Sequence, residues 1–325
     1  MNKTLPILTA LFTASAFAQA APQTLDVYTY DSFSADWSAG PKVKAAFEQQ
    51  FPQCKLNYVA FDNNGTLFNR VRLEGKKIKA DVVLGLDSYQ IEDAQKLKIF
   101  EPNKVDLSQL RLPIKWENHT FLPFDYAQYA FIYDKNKLAN PPKSLKELVE
   151  RQDLKVLYQD PRTSSIGRGL LLWMNVVYPE ADVANAWKTL SKHTVTVTKG
   201  STESYGDVVL SVNTSPIYHI LSEQKDNYVA TEFAEGSVLQ VEVAAKVANR
   251  NNACADEFLG FLLSPQAQAD IAKNNVMLPV VEANIESHID ALNSRAKSMR
   301  ILDTTTVTSE QLKGWINQWQ KALSK

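Results

Sequence analysis

The chain has 325 residues, enough for one large or two medium domains with full apolar cores. Its 35 Lys and Arg almost balance 36 Asp and Glu, for a net charge of −1. No block of the chain is rich in Lys or Arg, which excludes the basic footprint of a nucleic-acid-binding surface. The four histidines lack metal-ligand spacing, and there is no CxxC pair and no GxSxG nucleophile turn. No catalytic residue, metal or cofactor is therefore expected, and the chain is not read as an enzyme.

Lys3 is followed by an uncharged apolar run over residues 5–17. Ala16-Phe17-Ala18 and Ala18-Gln19-Ala20 both fit a small-x-small cleavage site. The run is too short to span a bilayer, so residues 1–18 read as a secretory signal peptide, with cleavage after residue 20 as the alternative. The remainder is expected to be exported and soluble, in the periplasm of a Gram-negative cell. No cysteine stands at the cleavage site to carry a lipid. Cys54 and Cys254 could pair in an oxidising compartment or could be two small buried side chains.

Residues 25–30 (LDVYTY) alternate like a strand, and Asp31, Ser32 and Phe33 follow as a loop. Gly40-Pro41 opens a helix that Pro52 stops. Residues 55–61 read as a strand, 67–73 as a helix, 80–85 as a buried strand with a loop at Leu86-Asp87, and 91–97 as a helix. This alternation predicts a parallel sheet with crossover helices. In such sheets the ligand sits beyond the C-terminal strand ends, so the loops at 31–37, 62–66 and 86–89 would share one edge.

Residues 123–133 (PFDYAQYAFIY) form a strand long enough to cross between two lobes. Ser144 caps a helix over 145–151, with Glu147 completing a capping box. The stretch 158–173 (YQDPRTSSIGRGLLLW) runs from a strand end through a hydroxyl-rich turn into a helix. Such a turn can cradle an anion or polar ligand on unpaired helical N–H groups, or can simply cap the helix. Strands at 194–198 and 207–212 are joined by residues 199–206, short for a parallel crossover of about a dozen residues. Helices are expected over 218–225, 254–263, 265–273 and 310–323, and residues 239–245 (LQVEVAA) as a strand returning to the first lobe.

The stretches VYTYDSFSADW (27–37), RVRLEGKKIKADVVLGLD (70–87), FLPFDYAQYAFIYDKNKLANPPKSLKELVE (121–150), YQDPRTSSIGRGLLLW (158–173) and TVTVTKG (194–200) together closely resemble the periplasmic thiamine-binding proteins of ABC importers. The resemblance implies an α/β, two-lobed type II periplasmic-binding-protein fold, with parallel-dominated sheets flanked by helices and a ligand cleft between the lobes. Lobe 1 would comprise residues 21–125 and 241–305, lobe 2 residues 126–240, and residues 306–325 a C-terminal helix. It also implies a monomeric receptor that takes up thiamine and its phosphates and delivers them to an inner-membrane permease with its ATPase.

The family's stacking tyrosines fall on Tyr30 and Tyr218, and its polar turn on Asp160, Thr163 and Ser164. Asp31 and Trp37 lie at the same expected edge. Asn63 stands where the family has an acid, and Ser201, Val212 and Val276 stand where it has aromatic rings. These departures leave open a changed ligand: a thiamine precursor or breakdown product, another small cation, or a ferric ion.

Overall fold

The computed structural model describes residues 21–198 and 206–324, apart from the side chains at 288, 293 and 295–298. In the first segment, β1 (Gln23–Tyr30), α1 (Asp31–Ser34), α2 (Ala39–Gln50), β2 (Cys54–Phe61), α3 (Asn64–Glu74), β3 (Val82–Asp87), α4 (Ile91–Lys96) and the short β4 (Phe100–Glu101) follow the expected alternation. The loop expected at residues 31–33 is instead the one-turn helix α1. Asp87, expected in a loop, is the last residue of β3, held in the sheet by pairing with residue 242.

The long strand β5 (Phe121–Asp134) leads into α5 (Leu145–Glu150), β6 (Val156–Gln159), α6 (Ser165–Val177), α7 (Glu180–Ser191), β7 (Thr194–Thr198), β8 (Val208–Val212), α8 (Ser215–Glu223) and β9 (Tyr228–Ala230). Ser144 caps α5 as its sequence suggests, its side chain accepting from the Glu147 N–H. The Glu147 carboxylate reaches the N–H of Lys143 instead of the cap residue, so the box is half closed. The chain then forms β10 (Leu239–Val247), α9 (Ala253–Leu262), α10 (Pro265–Asn274), β11 (Leu278–Pro279), α11 (Ser287–Ser298) and α12 (Ser309–Leu323).

The strands form one curled sheet in the order β2-β1-β3-β10-β5-β8-β6-β7, with β4, β9 and β11 on its margins. The expected parallel pairing holds in the two wings, β2-β1-β3 and β8-β6-β7. Between them β10 runs antiparallel to β3 and β5, and β5 antiparallel to β8, so the sheet as a whole is mixed. The reason is that β5 and β10 carry the chain out of one wing and back, and a strand that returns runs against its neighbour. β7 and β8 lie on opposite sides of β6. Most of the connection that looked short (199–205) lies outside the described residues.

The apolar core divides where these strands cross. Phe124 and Tyr126 belong to one cluster, with β1, β3, α2 and α9, while Tyr129 and Phe131 belong to a second, with β6, α6 and α7. At the start of β10 the switch falls between Val238, just before the strand, and Leu239, its first residue. Leu312 and Trp319 of α12 pack on the second cluster, where the Trp319 indole donates to the Tyr158 hydroxyl at 3.1 Å. Cys54 and Cys254 form a disulfide that ties the start of β2 to the start of α9.

Candidate functional site

β1, β2 and β3 are parallel neighbours, so their C-terminal ends converge on one edge as expected. Asn64, opening α3 after β2, donates to the Gly85 carbonyl of β3 at 2.6 Å. Gly85 has φ +104°, and a Cβ there would stand 2.3 Å from a Tyr30 ring carbon. Only glycine gives both the left-handed backbone and the room for that ring.

Beside this edge lies a pocket of about 570 Å³, lined by Trp37, Tyr218, Leu221, Lys273, Val276 and Glu286 among others. Trp37 is 63 % exposed and Tyr218 44 %. Large rings left in water beside a concavity mark a binding surface more readily than scattered exposed apolar residues do. Lys273 and Glu286 pair at 2.6 Å. Val276 has φ +54°, a costly backbone for a β-branched residue. Such strain gathers at ligand-binding walls. A second cavity, of about 450 Å³, is lined by residues of α4, the 114–118 segment and residues 301–308. Its indole, Trp116, is pinned by donating to the Phe121 carbonyl at 3.0 Å, and it holds none of the residues singled out in the sequence.

Behind the pocket, three carboxyls stand side by side across the sheet. Glu242 of β10 is in register with Asp87 of β3 on one side and Asp125 of β5 on the other. All three are buried. The Tyr30 hydroxyl donates to Glu242 Oε2 at 2.6 Å, and Asn64 donates to its Oε1 at 3.0 Å. Tyr89 donates to Asp87 Oδ2 at 2.9 Å, and Ser165 Oγ donates to the same oxygen. Asn275 donates to Asp125 Oδ2 at 2.7 Å and to the Tyr30 hydroxyl at 3.2 Å.

Burial raises the pKa of all three. The negative charge of Glu242 then pushes Asp125 well above the usual carboxylate range, and that of Asp87 helps to bring Glu242 to about 7. For Asp87 the hydrogen bonds from Ser165 and Tyr89 work against burial without cancelling it. Asp125 Oδ1 is buried and no donor reaches it. The Asp125 and Glu242 side chains interact by a hydrogen bond that raises Asp125 and lowers Glu242, the pattern of a carboxyl that keeps its proton and donates it to an ionised neighbour.

The sequence-predicted residues divide accordingly. Trp37 and Tyr218 share the pocket, together with Val276. Tyr30 is buried behind it in the acid row, its ring edge-to-face with Phe33 at 5.9 Å. Asp31 is exposed in α1. Asn63 caps α3 in a reciprocal box with Thr66, both bonds at 3.0 Å. Asp160 binds the Arg162 guanidinium, and although partial burial opposes ionisation those bonds hold its pKa below the usual value. Ser164 caps α6 through the Gly167 N–H at 3.3 Å and donates to Gln159. Thr163 is exposed; its carbonyl would stand 2.8 Å from a Cβ on Gly65, so this turn abuts the first turn of α3 but does not line the pocket. Ser201 lies outside the described residues.

Sequence reasoning missed Glu242, Asn275 and Lys273. The signal for Glu242 was present: in residues 239–245 it and Gln240 interrupt an otherwise apolar strand at a spacing of two, which puts both on one buried face.

The sequence profile of the bacterial extracellular solute-binding proteins matches residues 77–297, and the chain belongs to that family. Its fold is the two-lobed type II fold of periplasmic binding proteins. It is 59 % identical to the thiamine-binding periplasmic protein of Haemophilus influenzae, over 98 % of both chains. It is 48 % identical to the thiamine-binding periplasmic protein of Escherichia coli, over the whole of both. A solved structure titled periplasmic thiamin binding protein superposes with a TM-score of 0.85 at 47 % identity, covering 94 % of this chain and 97 % of that one. Among the described residues no helix is long and apolar enough to cross a membrane.

Proposed function

We propose that this chain is the thiamine receptor of an ABC importer, acting in the periplasm and handing its ligand to an inner-membrane permease and ATPase. The observation that carries this is the pocket holding the exposed rings of Trp37 and Tyr218, in a chain 59 % identical to a named thiamine-binding protein. Thiamine carries a permanently charged thiazolium ring. An aromatic face contributes roughly 0.5–2 kcal/mol to holding such a cation. The Cys54–Cys254 disulfide suits an oxidising, exported setting. The lobes are read as 21–125 with 241–305, and 126–240, with 306–325 as a C-terminal helix; core switches between Tyr126 and Tyr129 and between Val238 and Leu239, within a few residues of those bounds, support a division there.

A ligand that binds only the native state raises its stability by RT ln(1+[L]/Kd), so a thermal-shift titration tests the reading. Thiamine should raise Tm in a concentration-dependent way. No shift at millimolar thiamine would sink the proposal. Tyr218→Ala should weaken binding about tenfold or more, the scale of one lost stacking contact; unchanged affinity would remove Tyr218 from the site.

A further inference from the structure

The carboxyl row is joined to the pocket wall by a single residue. Asn274 and Val276 line the pocket, and the side chain between them, Asn275, bonds both Asp125 and Tyr30. A charge placed in the pocket therefore stands one residue away from a row of three buried carboxyls, whose own surroundings are dry. We propose that the row Asp87–Glu242–Asp125 stores one proton behind the pocket, releases it to solvent when a cation seats against Trp37 and Tyr218, and so makes the receptor select cationic over neutral ligands. This rests on the thiamine reading of the same pocket.

The balance is simple. One carboxyl O–H bond of the coupled row breaks, its proton passes to bulk water, and the row gains one negative charge as one positive charge enters beside it. Burial sets the row up for this, because three adjacent carboxyls cannot all ionise while the pocket is empty. The groups around the row leave it as the titrating element. Tyr30 of β1, Tyr89 after β3 and Tyr129 of β5 are all pushed well above 10 by burial and then by the neighbouring carboxylates, and remain neutral. Arg168 of α6 is the cation that acts on Asp87. Lys273 in the pocket is paired with Glu286. His219 of α8, next to Tyr218, lies against Glu223 at 3.2 Å, a contact common to wild type and variants of the row.

The test is calorimetric titration of the full mature chain with thiamine near pH 6.5, in buffers of differing ionisation enthalpy. The slope of observed heat against buffer ionisation enthalpy counts the protons released. Wild type should release between about half a proton and one, and Kd should tighten up to about tenfold per pH unit between pH 6 and 7, the linkage limit for one proton. Asp125→Asn should bind thiamine with that slope lost, and Glu242→Gln should do the same should the first variant fold poorly. An uncharged analogue with a neutral ring in place of the thiazolium should release no proton from wild type. Thiamine binding to wild type with no proton release, or with the release unchanged in both variants, overturns the proton store and leaves the receptor reading standing. Absence of any thiamine binding to folded wild type overturns both.

Discussion

Two polar clusters meet at Ser165, and they are built on opposite principles. In the turn before α6, the side chains of Asp160 and Ser164 find their partners among near neighbours in the chain. Asp160 binds Arg162, and Ser164 binds Gln159 and the Gly167 N–H. In the acid row, Tyr89 beside Asp87 is a near neighbour, but most partners come from far away. Tyr30 and Glu242 are 212 residues apart, Asn64 and Glu242 178, and Asn275 and Asp125 150. The turn is half in water and pairs its carboxylate with a cation; the row is dry and crowds three acids together with one arginine beside Asp87. The turn thus has the chemistry of a structural cap, whereas the row concentrates charge that is costly to bury and is compensated by hydrogen bonds and a single nearby arginine.

The largest effect that would break this comparison is expected at Asn275. Asn275→Ala removes two donors, leaving a buried carboxyl and a buried phenol each short of one bond. Leaving a buried polar group unsatisfied costs about 1–3 kcal/mol, so a total loss of roughly 2–3 kcal/mol is expected in the free energy of urea unfolding. A loss below about 0.5 kcal/mol would mean that the row is not held together by this residue.

A pH titration of stability separates the two regions next. Glu242 in the folded chain titrates at about 7, above its ordinary value of 4.5, and Asp87 and Asp125 are raised too. Between the unfolded and folded values the native chain binds more protons than the unfolded one. The stability lent by the row is therefore full below the unfolded value and is lost as pH rises through about 7. Ligand-free protein should be more stable at pH 5 than at pH 8, by on the order of 2–3 kcal/mol. Exposed carboxylates have the opposite sign. Glu92 is held at about 2 by its hydrogen bonds to Lys96 and then Ser309, so its contribution is present above its unfolded value and fades only as pH falls through the acid range. A flat stability curve between pH 5 and 8 would show that the row holds no proton at neutral pH.

The same contrast explains what was legible in the sequence. Strands and helices were readable because their signals are local: alternation in residues 25–30, the stop at Pro52, the cap at Ser144. The exposed rings of Trp37 and Tyr218 could be placed at one edge through the βαβ rule and the family resemblance. The acid row could not, because its geometry is a register. Glu242 lies opposite Asp87 and Asp125 only because β10 returns antiparallel between β3 and β5, and nothing local to residues 239–245 specifies that placement. The turn at 160–165 is ambiguous for a local reason. Its hydroxyl-rich composition fits a ligand cradle and a helix cap equally well, and the capping partners of Ser164 sit within five residues.

Ser164 carries the smallest of these effects and sharpens the comparison from the turn's side. Its hydroxyl accepts from the Gly167 N–H, one of the donors that α6 cannot satisfy within itself. Ser164→Ala should cost about 1 kcal/mol, the ordinary value of an N-cap side chain, with some further loss from the Gln159 amide oxygen, which Ser164 supplies with a proton. Because none of these groups titrates near neutrality, the loss should be the same at pH 5 and pH 8, leaving the slope set by the acid row intact. Measured by urea unfolding at the two pH values, parallel curves displaced by about 1 kcal/mol would place Ser164 in the structural cluster. A loss that grows or shrinks with pH would mean that the turn is coupled, through neighbouring Ser165 and its bond to Asp87, to the row itself.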